Sequence, residues 1–166
     1  VAFSVPGNAY VRQGSTWFVE IEADADVIDR VETIVEGSRL IIRVKPTLKG
    51  LWNWDNADKV TARITLPEPE AITVNGSGDL KGEGRFKTGN MSVSVNGSGS
   101  AALEMESGNV DLSVSGSGEI SVKGRMIDLE SSVSGSGQIY VDAESSGAFS
   151  GDVSGSGKIN IQGKAQ

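Results

Sequence analysis

Between Ala71 and Ile161 aliphatic and mostly polar side chains alternate on both flanks of one three-residue string that occurs five times and interrupts the pattern. The interruptions are Gly76-Ser77-Gly78, Gly97-Ser98-Gly99, Gly116-Ser117-Gly118, Gly135-Ser136-Gly137 and Gly155-Ser156-Gly157. Three residues before each serine stand Val74, Val95, Val114, Val133 and Val153; seven before the later ones stand Met91, Val110, Leu129 and Phe149. Three after come Leu80, Ala101, Ile120, Ile139 and Ile159, and five after, Leu103, Val122, Val141 and Ile161. A period of two is strand spacing, so each unit predicts a strand, a Gly-Ser-Gly turn and a second strand. The serines follow one another at steps of 21, 19, 19 and 20 residues, and a near-constant step of this size predicts a solenoid. Coils stacked about 4.8 Å apart would place equivalent residues over one another. The expected fold is all-β, a parallel β-helix with the aliphatic columns as a continuous core.

The distance from the valine column to the branched column after the turn is constant. The length changes are therefore expected in the far connection of each coil, where Gly89-Asn90, Gly108-Asn109 and Gly147-Ala148 stand. Glycine there would supply the positive φ of a tight turn.

Residues 1–70 are β-patterned without the repeat. Two short strands are expected before Ala23, with Val19, Ile21 and Ala23 on one side and Glu20 and Glu22 on the other, then one helical turn between Asp24 and Asp29. Val31 to Val44 reads as a hairpin around Gly37-Ser38, with Val31, Val35, Leu40, Ile42 and Val44 directed to the core. Val60 to Leu66 alternates again. One domain is expected, with residues 1–70 closing one end of a stack formed by residues 71–166, because an uncovered coil end exposes core and strand edges.

Composition narrows the chemistry. A formal charge of −7 with scattered Lys and Arg argues against a nucleic-acid partner, which needs a clustered basic face. The chain has neither cysteine nor histidine, which removes disulfides, thiolate ligands and the commonest general base. No apolar run is long enough to span a membrane as a helix. Of the 22 glycines ten lie in the Gly-Ser-Gly strings, so they mark turns between strands and not disorder.

Candidate sites are few. The motif serines would be nucleophiles only beside an activating base, and Lys158 near Ser156 is the nearest such pairing; stacked turn hydroxyls are the simpler reading. Asp79 after the first motif resembles a calcium-loop acid, but Ser100, Glu119, Gln138 and Lys158 occupy the equivalent places. Glu104 with Glu106, and Asp128 with Glu130, are spaced as an acid and base on a glycan-cleaving β-helix would be, and equally as solvated acids on an alternating strand. Trp52 and Trp54, one residue apart in a loop, are the candidate partner contacts, since exposed aromatics stack on sugars or anchor proteins. The expectation is no catalytic residue, no metal and no cofactor.

The string Val-Ser-Gly-Ser-Gly-Glu-Ile-Ser-Val from Val114 to Val122, with its copies and the preceding hairpin, resembles the head GIN domain of bacterial putative autotransporter adhesins. The resemblance covers nearly the whole chain. It implies a right-handed β-helix, export to the periplasm or cell surface, and adhesion, and it carries over no catalytic residue. An aspartate that often follows the motif there is kept only at Asp79. The function expected is a non-enzymatic surface scaffold or adhesin head that meets a glycan or a surface protein. Two other readings stand beside it: a carbohydrate-binding or carbohydrate-cleaving β-helix, and a homo-oligomeric assembly module.

Overall fold

The structure, a computed structural model, describes residues 1–45 and 60–163. In chain order the described elements are β1 (Ala2–Ser4), β2 (Gly7–Gln13), β3 (Phe18–Glu22), α1 (Ala25–Ile28), β4 (Val31–Glu36), β5 (Arg39–Val44) and β6 (Val60–Leu66). The repeats supply β7 (Ala71–Gly76), β8 (Asp79–Gly97), β9 (Ser100–Gly116), β10 (Glu119–Gly135), β11 (Gln138–Ser145), β12 (Phe149–Gly155) and β13 (Lys158–Gln162). They form a β-solenoid of about five turns. Each coil enters a Gly-Ser-Gly corner along one face and leaves along another, here the entry face and the exit face.

Stacking is parallel and in register. On the entry face Val74, Val95, Val114, Val133 and Val153 are successive partners; on the exit face the partners are Leu80, Ala101, Ile120, Ile139 and Ile159. Alternation puts both columns inward, and from Val74 to Val133 and Leu80 to Ile139 every member is buried. This is the burial that makes a repeat of marginal single coils cohere.

The corners explain the glycines. The first glycine of each motif has positive φ, from +91° at Gly76 to +128° at Gly97, a region costly for any residue with a Cβ. The second approaches the coil before it: a Cβ on Gly118 would lie 2.6 Å from the Gly99 carbonyl oxygen. Backbone bonds continue the ladder through the bend, with Ser117 N–H donating to Gly97 O at 2.9 Å and Glu119 N–H to Gly99 O at 3.0 Å.

The far connections differ from expectation. β8, β9 and β10 run unbroken from exit face to entry face, and Gly89, Gly108 and Gly147 are not among the glycines with positive φ. At Gly89 and Gly108 the strands continue through the bend with the ladder skipping that one residue, Thr88 pairing with Ser107 and Asn90 with Asn109, whereas at Gly147 the chain breaks between β11 and β12. The two extra residues of the first step also lie elsewhere: Lys81 pairs with Ala102 but Arg85 with Glu104, so a bulge at residues 82–84, with φ +83° at Gly84, absorbs them. Only the single extra residue of the last step falls in a far connection, between the Met126–Ser145 and Leu129–Phe149 pairings.

The N-terminal residues prolong both faces. β1 pairs in parallel with β7 and β5, and β2 with β8 and β6, so Phe3 stands in the Val74 column and Ala9 in the Leu80 column. Antiparallel β4 and β3 then close the entry and exit faces, joined by α1, whose Val27 is fully buried. The hairpin Val31–Glu36 and Arg39–Val44 forms as expected, but Val35 is 69% exposed. It faces the same way as its partner Leu40; β4, however, is an edge strand, with β5 as its one neighbour among the described residues.

At the other end the aliphatic columns lose their cover. Phe149 and Val153, expected in the core, are 37% and 46% exposed, and Ile159 and Ile161 are half-buried, because no described strand follows β12 or β13. The column of Ile72, Val93 and Leu112 also shrinks here to Ser131 and Gly151. Ser131 is 2% exposed and its hydroxyl donates to Ser150 O at 3.0 Å. Amide exchange in β12 and β13 is therefore expected to be at least roughly 100-fold faster than in the buried parts of β9 and β10; uniform protection along the stack would contradict this reading.

Candidate functional site

Polar side chains occupy the outward positions of both faces, and each face arranges them differently. On the entry face they repeat as amide and hydroxyl rungs. Asn109 Nδ2 donates to Asn90 Oδ1 at 3.1 Å, Asn96 Nδ2 to Asn75 Oδ1 at 3.0 Å, and the Ser94 and Ser113 hydroxyls meet at 2.9 Å. Where this face meets the far bend, the rungs border a cleft of about 440 Å³. Met91, Val110 and Leu129 lie beneath it with their side chains turned into the core and almost wholly buried, and its rim includes Glu70, Asn109, Asp111, Asp128 and Glu130. Its volume falls within the range of small-ligand sites, and the side chains on its rim are polar.

On the exit face the rungs are charged, and their sign alternates from coil to coil. Register places Arg85, Glu104, Lys123 and Asp142 in one column, and Lys87, Glu106, Arg125 and Glu144 two residues further on in another. Arg85 Nε donates to Glu104 Oε1 at 2.8 Å, Arg125 Nε to Glu144 Oε2 at 3.0 Å, and Lys87 Nζ lies 3.9 Å from Glu106. The hydrogen bond and charge of Glu104 hold the Arg85 guanidinium still more firmly protonated. Opposite charges on neighbouring strands are the favourable arrangement, although exposed pairs contribute little stability.

These contacts decide how the sequence candidates are disposed. Glu104 and Glu106 stand two residues apart on one strand, each beside a cation, and both line a shallow hollow of about 610 Å³ together with Lys123, Arg125, Asp142 and Glu144. Asp128 Oδ1 accepts the Ala148 N–H at 2.8 Å, so this acid closes the far connection. Asp79 accepts the Ser100 hydroxyl at 2.6 Å and belongs to the corner ladder. Ser77, Ser98, Ser117, Ser136 and Ser156 are exposed along one ridge, and Lys158 is exposed beside the last. Among the described residues no three acidic side chains group as metal ligands would. Trp52 and Trp54 lie outside the described residues.

Two aromatics that the alternation pattern passes over stand out in space. Trp17 is 59% and Phe18 48% exposed at the start of the edge strand β3. Their signal in the sequence is two consecutive aromatics at the point where a period-two strand begins, so that one of them must face out.

With this geometry in view, comparison with known proteins is informative. A family model described as "Putative auto-transporter adhesin, head GIN domain" matches residues 1–166. Among solved structures, the chain is similar to a putative lipid binding protein from Parabacteroides distasonis ATCC 8503, with TM-score 0.60 and 19% identity over 96% of this chain and 90% of that one. It is also similar to a putative adhesin from Bacteroides fragilis NCTC 9343, with TM-score 0.56, 19% identity and the same coverage. At this identity the likeness is one of fold. No functionally curated protein matches the sequence. No helix among the described residues is long and apolar enough to cross a membrane.

Proposed function

The chain belongs to the head GIN domain family of putative auto-transporter adhesins, and from that premise we propose a non-enzymatic adhesin head or surface scaffold. It is exported to the periplasm or cell surface and takes a polar ligand, a glycan first, in the entry-face cleft. The observation that carries this reading is the cleft itself. Asn109, Asp111 and Glu130 on its rim offer amide and carboxylate partners for sugar hydroxyls, over strands whose Met91, Val110 and Leu129 side chains are turned into the core. Register with the neighbouring coils holds these groups on rigid strands, so little ordering entropy is lost on binding.

A glycan and surface-protein array tests this. Asp111→Ala combined with Glu130→Ala is expected to weaken the best ligand at least about tenfold while the thermal midpoint moves by no more than about 2 °C, as for exposed positions. Trp52→Ala with Trp54→Ala belongs in the same experiment as the second proposed contact. Binding lost only in the tryptophan variant would move the ligand to that segment, and an array with no ligand at all would sink the adhesin reading.

A further inference from the structure

We propose that the exit face is a contact between two copies of this chain, related by a two-fold axis that lies in the face and runs along its strands. The inference does not rest on the adhesin reading, and it leaves the cleft on the other face free.

The order of signs makes this face complementary to itself. From one coil to the next the paired outward residues are Arg85 and Lys87, Glu104 and Glu106, Lys123 and Arg125, Asp142 and Glu144, that is plus, minus, plus, minus. An in-plane two-fold reverses the order of coils and leaves each column facing itself. The first coil then meets the fourth and the second meets the third. Arg85 lies against Asp142 of the partner subunit, Lys87 against the partner's Glu144, Glu104 against the partner's Lys123 and Glu106 against the partner's Arg125. Every row meets its opposite, and symmetry repeats each pair. A self-complementary patch of this kind is what an isologous dimer requires; an uneven number of rows would have set like charge against like.

Shape follows the same axis. Ile127 is 52% exposed at the border of this face. The pairings of Met126 with Ser107 and of Asp128 with Asn109 put Gly108 at the equivalent place one coil earlier. Both residues line a shallow hollow of about 550 Å³ that Glu106, Arg125 and Glu144 also border. The two-fold that matches the charges carries Ile127 of each copy over the hollow at Gly108 of the other, a residue that itself has no side chain. The central rows thus combine an apolar insertion with flanking ion pairs, and excluding water there strengthens those pairs relative to exposed ones.

Sedimentation velocity over a concentration series tests the contact. The parent chain is expected to be a dimer at low salt, and raising salt to about 0.5 M should weaken association at least about tenfold, because the pairing is ionic. Lys123→Glu with Arg125→Glu should be monomeric, as should Glu104→Lys with Glu106→Lys. An equimolar mixture of these two variants should form a heterodimer, since the two-fold then sets acidic rows against basic ones throughout. Should circular dichroism show either variant unfolded, Arg85→Glu with Lys87→Glu and Asp142→Lys with Glu144→Lys give the same reciprocal test on the outer rows. A parent that stays monomeric at low salt, a single variant that still dimerises, or a mixture that associates no better than its components would overturn the proposal. Dimerisation indifferent to all four reversals would move the contact to the open end at β12 and β13.

Discussion

Replacing Gly116 by alanine is expected to destabilise the protein by about 3 kcal/mol, lowering the thermal midpoint by roughly 10 °C, whereas Ser117→Ala should change stability by less than about 0.5 kcal/mol. The two residues are neighbours in one corner and differ in what surrounds them. Gly116 has φ +116°, and a Cβ on it would lie 2.6 Å from Gly97 O and 3.2 Å from the Gly97 carbonyl carbon. Relief by shifting the corner is blocked on the opposite side, where Ser136 N–H donates to Gly116 O at 2.8 Å. The alanine therefore incurs both backbone strain and a contact with main chain that cannot rotate away. Ser117 keeps its ladder bond to Gly97 O through its own N–H, and its side chain is exposed, so alanine removes only a hydroxyl in water. Urea unfolding of the two variants decides the matter. A Gly116→Ala protein within 1 kcal/mol of the parent would mean that the corners are plastic and that the repeated glycines need another cause. A Ser117→Ala protein of parental stability that has lost array binding would give the serine ridge a ligand role.

The corners and columns are legible in the sequence because each repeat carries its own copy of the cause. A valine three residues before the serine and a branched residue three after it bury against their counterparts whatever the loops do, so register survives changes of length. The N-terminal contribution was harder to read because spatial order departs from chain order. β1 lies between β7 and β5, and Thr73 N–H donates to Val1 O at 2.8 Å across about 70 residues of chain. A signal was present. Phe3 and Ala9 are six residues apart, as are Val74 and Leu80, and Pro6-Gly7 stands between them where the others have Gly-Ser-Gly. Gly7 is a corner glycine by the same test as Gly116, with φ +129° and Val60 O 2.0 Å from an added Cβ. The exposure of Val35, Phe149 and Val153 follows from position along the stack, which alternation does not encode: a residue can face inward and still have nothing over it. The exit-face rows were visible only as scattered charges, because Arg85 and Glu104 become neighbours only once the bulge at residues 82–84 is allowed for. Of the candidate site, the acids of the cleft rim were partly legible as Asp128 and Glu130; Glu70, Asn109 and Asp111 join them only through the stacking.

Position along the stack also sets what a hole in the core should cost, and Leu112→Ala is expected to destabilise by about 3 to 4 kcal/mol, against about 1 kcal/mol for Ile161→Ala. Leu112 is fully buried, with Val93 in the coil on one side and Ser131 in the coil on the other. The serine is too small, and too firmly tied to Ser150 O, to fill the space a truncation would leave. Ile161 is half-buried on the outermost described coil and, among the described residues, pairs with Val141 alone. Stability in a coil stack is approximately a sum of nearest-neighbour terms, so a hole at Leu112 weakens two interfaces and a hole at Ile161 only one. The weakened interfaces lie between β8 and β10, and the coils on the far side of them include the thin last one. Leu112→Ala should therefore loosen β10 to β13 before β1 to β7, and native-state amide exchange would show the later strands opening at lower free energy than the earlier ones. Equal losses from the two substitutions, or exchange that rises evenly from end to end, would mean that the protein unfolds as one indivisible core and not as stacked coils.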